Sequence, residues 1–313
     1  MKTVLTSDVS EAAEFIRQGG IVAFPTETVY GLGANVFDEA AVAKIFDAKK
    51  RPADNPLIAH VASVEQIAEL TTSISPSAHL FIAAFFPGPL TVVLPRSARV
   101  PTIATAGLDT IGVRMPRYSL AHEFLAACAV PVVAPSANLS GRPSPTTWQA
   151  VQEDLGGRID CILQGDATEI GLESTVVDCT GDVPMLLRQG AVSLDELRII
   201  VPETVEYKQV ENDSPRSPGL KHRHYSPSAD VLISNLKFEI SDFCRSAFIG
   251  KSRPEHPFEL IKECSSTEEY AHSVFEFFRE CDRLGIRTIY CEGVPETGIG
   301  AALMDRLRRA AKG

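Results

Sequence analysis

Apolar positions along the first two hundred residues fall into two alternating rhythms. Short β-branched runs, "GGIVAF", "PLIAHV", "LTVVLP", "TIGVRMP", "VPVVAP", "CILQG" and "STVVDC", read as strands. Between them, "DVSEAAEFIRQGG" has an acidic start and a glycine stop and predicts a helix. So do "EAAVAKIFDAKKR", "AHLFIAAFF", "SLAHEFLAAC" and "TTWQAVQEDLGG". The alternation predicts an α/β domain over residues 1–206 around a largely buried, twisted sheet. The rhythm stops at "YKQVENDSPRSPGLKHRHYSPSA", which has prolines and no apolar period, so residues 207–230 read as a linker. A second, shorter α/β pattern fills 231–313: "ADVLIS" and "RSAFIG", the helix "STEEYAHSVFEFFRECDRLG", the strand "IRTIYCEG" and the closing helix "GIGAALMDRLRRAAKG".

Composition changes this picture little. A chain of 313 residues is long for one core, which agrees with two domains. No apolar run approaches the roughly 18 residues that span a bilayer, and acids occupy the place of a signal peptide's apolar segment, so the expectation is a cytoplasmic protein with no membrane partner. Seven scattered cysteines without zinc spacing read as reduced thiols packed as small apolar side chains.

Charge is more informative. The net charge of −10 lies on residues 1–206, which argues against a broad nucleic-acid face and draws attention to the cations that do cluster there. "KKRPADNPL" sets Lys49, Lys50 and Arg51 at a helix end, where the dipole alone would favour them. Pro52 and Asn55-Pro56 then frame the cations rigidly, and lysine beside arginine offers phosphate both a point charge and a planar fork. Lys50 is expected to face solvent.

Three further stretches gather polar groups. In "FPTETVYGLG", Thr26, Thr28 and Tyr30 crowd a turn after a strand, without the third glycine of a dinucleotide fingerprint. "APSANLSGRPSPT" offers Ser136 and Asn138 in a loop whose short side chains let a ligand approach the main chain. "TIGVRMP", "LESTVVD" and "LLRQGAV" place Arg114, Ser174, Thr175 and Arg188 within or beside strands. A buried guanidinium there needs either an acidic partner inside the protein or a ligand anion. His60 ends its own strand, where a histidine is more often a satisfied structural residue than a ligand. With no phosphate loop, nucleophile elbow or Asp-rich metal cage, the inventory is cations and hydroxyls with few acids near them. It suits a reaction on anions in which the protein positions reactants and stabilises charge.

In this order the stretches, together with "SPGLKHRHYSP" and "GIGAALMDRLRRAA", resemble the YrdC-like family in its long form, the threonylcarbamoyl-AMP synthases. The resemblance implies an open, twisted-sheet α/β domain around a cationic cavity, joined to a smaller Rossmann-like α/β domain. It implies formation of threonylcarbamoyl-adenylate and pyrophosphate from L-threonine, bicarbonate and ATP. A separate transferase system would use the product to modify tRNA beside the anticodon. Thr28, His60, Arg114, Ala134 through its backbone, and Ser174 would contact threonine. Arg51, Asn55, Thr110, Ser136, Ser144 and Arg188 would contact ATP, with Lys49 completing the pair that carries the chemistry. His224 or Tyr225 would add a linker contact, and spacing leaves both open. The resemblance implies no organic or redox cofactor, with Mg2+ carried on the nucleotide's phosphates. The C-terminal domain shows no catalytic cluster and would hold the linker over the cavity. The rival reading is a tRNA- or double-stranded-RNA-binding module, in which the cations make a weak RNA contact that collapses with salt.

Overall fold

A computed structural model describes residues 2–52, 54–207, 225–234 and 245–311. Eleven strands form one mixed sheet. From edge to edge they run Val4–Thr6, Cys161–Leu163, Val22–Phe24, Gly31–Asn35, Val132–Val133, Ile58–His60, Thr110–Arg114, Leu90–Pro95, Thr175–Asp178, Met185–Arg188 and Val205–Glu206. The seven strands that apolar runs predict are all present, and the mixed α/β class is as expected. Four are added: Val4–Thr6, Gly31–Asn35, Met185–Arg188 and Val205–Glu206. Gly31–Asn35, "GLGAN", lacks the β-branched signal because its packing demands glycine: a Cβ on Gly33 would lie 2.6 Å from Val132 and 3.0 Å from Phe24. The "FPTETVYGLG" segment is therefore half turn and half strand.

Helices start where their caps permit. Asp8, Asp38, Ser75, Thr147 and Ser193 each accept a first-turn N–H, and Ser193 with Glu196 forms a reciprocal capping box. The helix Glu39–Lys49 ends on Lys50 in the left-handed region, φ 51°, and the exposed Lys50 side chain faces solvent as expected.

The second sheet is wholly parallel, with strands Asp230–Ser234, Thr288–Glu292, Ser246–Gly250 and Leu260–Glu263 in that spatial order. Helices Thr267–Leu284 and Ile299–Ala311 pack with it, burying Phe275, Phe278, Leu303 and Leu307. Val29 and Leu172 of the first unit and Tyr225 belong to this same apolar cluster. At Gly171 the chain passes so close to that helix that a Cβ would lie 2.5 Å from the His272 backbone, with φ at 81°. Six described cysteines are buried, and burial pushes thiols such as Cys128 up to about 12, so they are inert at neutral pH. Among the described residues no helix is long and apolar enough to cross a membrane.

Candidate active site

A cavity lies against the middle of the large sheet. Its lining includes Thr28, Arg51, His60, Arg114, Ala134, Ser136, Glu173, Ser174, Arg188 and Tyr225, around about 590 Å³ of space that is partly open to solvent. Nine of the residues expected to contact substrates therefore meet in one place: Thr28, Arg51, His60, Arg114, Ala134, Ser136, Ser174, Arg188 and Tyr225.

Sheet pairing aligns part of the lining. Strands Ile58–His60 and Thr110–Arg114 run parallel with His60 opposite Arg114. Arg114 is 4% exposed, and its Nη2 lies 2.7 Å from Glu27 Oε1, so an internal acid partners this guanidinium. Its Nη1 donates to Thr28 Oγ1 at 2.8 Å, and Thr26 Oγ1 donates to the Val29 carbonyl at 2.7 Å. The Thr28 hydrogen is thus left for Thr26 Oγ1, 2.8 Å away, and the chain of donors runs in one direction. Burial, followed by the neighbouring Arg114 cation, pushes His60 down to about 3, so the imidazole is neutral at physiological pH.

Arg51 and Arg188 make another part of the cavity wall cationic. Burial pushes Arg51 down to about 10, which still leaves it charged at neutral pH. Its Nε is buried and has no hydrogen-bond partner among the described residues. Arg188 Nε donates to the Ser174 carbonyl at 3.0 Å and its Nη2 to Ser174 Oγ at 3.1 Å, while Ser174 also pairs with Thr91 at 2.8 Å. Burial lowers the Arg188 pKa.

Other predicted residues lie just outside this lining. Lys49 is 1% exposed, and its ammonium donates to the Ser136 carbonyl at 2.5 Å and to the Asn138 carbonyl. It braces the loop and does not reach the cavity surface. Burial, with Arg51 adding to it, holds its pKa well below that of an ordinary lysine. Asn55 is buried in the turn after Arg51, whose Nη2 lies 3.4 Å from the Asn55 carbonyl. Thr110 lines a neighbouring apolar cleft with Leu57, Thr91 and Val176, which meets the main cavity at Ile58. Ser144 donates to Glu173 Oε1 at 2.5 Å. His224 lies outside the described residues, and Tyr225 forms one wall, stacked on Phe275 at 5.4 Å.

Of Thr26, Tyr30 and Asn138, to which the resemblance gives no ligand contact, Thr26 lines the cavity and the other two have clear tasks. Tyr30 exchanges hydrogen bonds with the Gly165 backbone, and Asn138 ties the Leu139 and Arg142 carbonyls, so both shape turns. The expectation of few acids near the cations is corrected: Glu27 and Glu173 are both packed among them. Glu27 stood in the quoted "PTET", but nothing in one sequence pairs it with an arginine 87 residues later. The C-terminal unit, expected to hold the linker over the cavity, also sends a side chain to one of the lining residues. Arg306, 1% exposed on the last helix, donates from Nε to Glu173 Oε2 at 2.8 Å. A second tie joins Arg279 to buried Asp154 at 2.9 Å and to the Pro143 carbonyl at 2.5 Å.

An open α/β sheet with a deep, cation-lined cavity, roofed by a second α/β unit, defines a protein that holds small anionic molecules. The sequence model of the Sua5/YciO/YrdC family, described as "Telomere recombination", matches residues 14–190. The model described as "Threonylcarbamoyl-AMP synthase, C-terminal domain" matches 192–312. The chain belongs to this family. It is 44% identical over 316 residues to the threonylcarbamoyl-AMP synthase of Pyrococcus abyssi, covering 96% of this chain and 93% of that one. The structure of P. abyssi Sua5 complexed with L-threonine superposes with a TM-score of 0.91 at 42% identity, over 99% of this chain and 97% of that one. A Vibrio vulnificus threonylcarbamoyl-AMP synthase is 34% identical over 188 residues, which are 59% of this chain and the whole of the relative.

Proposed function

We propose that this chain is a threonylcarbamoyl-AMP synthase, forming threonylcarbamoyl-adenylate from L-threonine, bicarbonate and ATP. The observation that carries the reading is Arg114, a guanidinium fixed by Glu27 and Thr28 on a cavity wall that also holds Arg51 and Arg188. The full-length similarity to a synthase and to a threonine-bound structure supports the same assignment.

In this reading the neutral threonine amine adds to CO2 derived from bicarbonate, giving a carbamate and releasing a proton from the nitrogen to solvent. A carbamate oxygen attacks the α-phosphorus of ATP, the bond from that phosphorus to the β-bridging oxygen breaks, and pyrophosphate leaves. Three anions must meet, so the protein supplies neutralisation and alignment. Arg114 and Thr28 receive the threonine carboxylate, with neutral His60, the Ala134 backbone and Ser174 around the rest of the amino acid. Arg51, Arg188 and Ser136 receive the triphosphate, and Asn55, Ser144 and Tyr225 complete the nucleotide side. Lys49 contributes by bracing the Ser136–Asn138 loop. The carbamate is already anionic and needs no general base.

Mg2+ fits this site as a companion of the nucleotide. Glu173, the one acid among the lining residues, has both oxygens engaged by Ser144 and Arg306, which leaves the phosphates as the ion's ligands. The ion would neutralise phosphate charge beside Arg51 and Arg188. The product is consumed by a transferase acting on tRNA.

The test is pyrophosphate release from ATP in the presence of Mg2+, bicarbonate and L-threonine. Release is expected only when both threonine and bicarbonate are present. Equal release without either one overturns the reading.

A further inference from the structure

Glu173 presents a problem of charge. It is 7% exposed and lines a cavity that must admit anions, where an uncompensated carboxylate would oppose them. Ser144 of the first unit donates to one of its oxygens, but the cation paired with it comes from the second unit. Arg306 reaches across from the helix Ile299–Ala311 and joins three separate segments with one guanidinium. Nε binds Glu173 Oε2 at 2.8 Å, Nη2 donates to the Gln189 carbonyl at 2.9 Å beside Arg188, and the Cζ lies 5.2 Å from the centre of the Tyr225 ring. Asp305 holds Nη1 at 2.6 Å, so the fork is fixed on its own helix as well.

We propose that Arg306 is a positioning residue through which the second unit completes the anion pocket, neutralising Glu173 and registering the Arg188 turn and Tyr225 against the bound nucleotide. Arg306 touches no reacting atom. The Vibrio relative is too short to hold a second unit of this kind, which fits a residue that positions and does not react. The inference deepens the synthase reading and rests on it for the identity of the nucleotide.

The experiment titrates the full-length protein with ATP and Mg2+ by calorimetry, alongside steady-state rates. Arg306→Met leaves Glu173 uncompensated and is expected to weaken ATP binding about tenfold or more, raising KM for ATP more than it lowers kcat. Adding Glu173→Gln to that variant removes the stray charge and restores most of the affinity. A purely structural role would not be rescued by this second change. Arg306→Lys keeps the charge beside Glu173 but loses the fork to the Gln189 carbonyl, so its affinity is expected to fall between those of the wild type and Arg306→Met. Wild-type affinity in Arg306→Met, or a double variant as weak as the single one, overturns the inference. If Arg306→Met loses its cooperative melting transition, Arg306→Lys decides: wild-type affinity overturns the inference, because the fork to Gln189 is lost there, and weakened affinity supports it. Wild-type pyrophosphate release that ignores threonine would overturn the synthase reading instead, and the ATP titrations would still report on Arg306.

Discussion

Two buried carboxylates, Glu173 in the cavity lining and Glu27 behind it, are each held by an arginine, but the two pairs are built differently. Glu27 and Arg114 both belong to the large sheet and its first turn, so that pair forms whenever the first unit folds. Glu173 and Arg306 are 133 positions apart and come from different units, so that pair forms only when the second unit docks. The contrast separates preorganisation from assembly. On the proposed assignment the threonine side would be ready in the first unit alone, whereas the nucleotide side would depend on a contact that docking makes.

The largest expected effect comes from breaking the pair inside the first unit. Arg114→Met should lower kcat/KM for threonine by about 10²-fold or more, because the carboxylate clamp is gone. It should also cost about 3–5 kcal/mol of stability, because Glu27 is left buried and charged. Initial rates and denaturant melts measure the two losses. An unchanged threonine dependence would mean that Arg114 only balances Glu27.

Undocking is the next test. Arg279→Ala removes the tie to Asp154 and the Pro143 carbonyl, but Arg142 still holds Asp154 at 2.5 Å, so the expected loss is smaller, about 2 kcal/mol. Hydrogen exchange should rise in residues 138–144, next to the loop that Lys49 braces, with threonine affinity unchanged. Loss of threonine affinity would erase the distinction between the two sides.

A pH profile probes the buried imidazole. His60 is held at about 3 when folded, whereas an unfolded histidine titrates near 6.5. The unfolded chain therefore binds the extra proton between those values. This contribution is complete above about pH 6.5 and is lost as pH falls toward 3, with a slope approaching 1.4 kcal/mol per pH unit. His60→Gln should flatten that limb of the stability curve, and an unaltered slope would assign it elsewhere.

The smallest effect is expected beside the largest cation cluster. Lys50→Gly relieves a left-handed backbone at an exposed cap, so it should leave activity unchanged and raise stability by up to about 1 kcal/mol. A loss of activity would place Lys50 at the site.

Most of the large sheet was legible because its strands are continuous apolar runs that announce themselves locally. Gly31–Asn35 was not, since its glycines answer to Val132 and Phe24 across the strand and not to any propensity of their own. The candidate residues were legible as types: cations framed by prolines, hydroxyls in a turn, arginines in strands. Nine of them line the cavity. Lys49 shows the limit of that reading, because charge and spacing fit a phosphate ligand, yet the helix end aims the ammonium at two loop carbonyls.

By itself the sequence determined the α/β rhythm, the break in that rhythm from Tyr207 onward, and the concentration of anion-binding chemistry in a few turns, because these are local properties of pattern and residue type. Which charges pair was decided only by the tertiary structure. Glu27 meets Arg114, Asp154 meets Arg279 and Glu173 meets Arg306 across 87, 125 and 133 positions. A buried charge takes whatever partner the packing brings within reach, and that partner is a matter of distance in space rather than position along the chain.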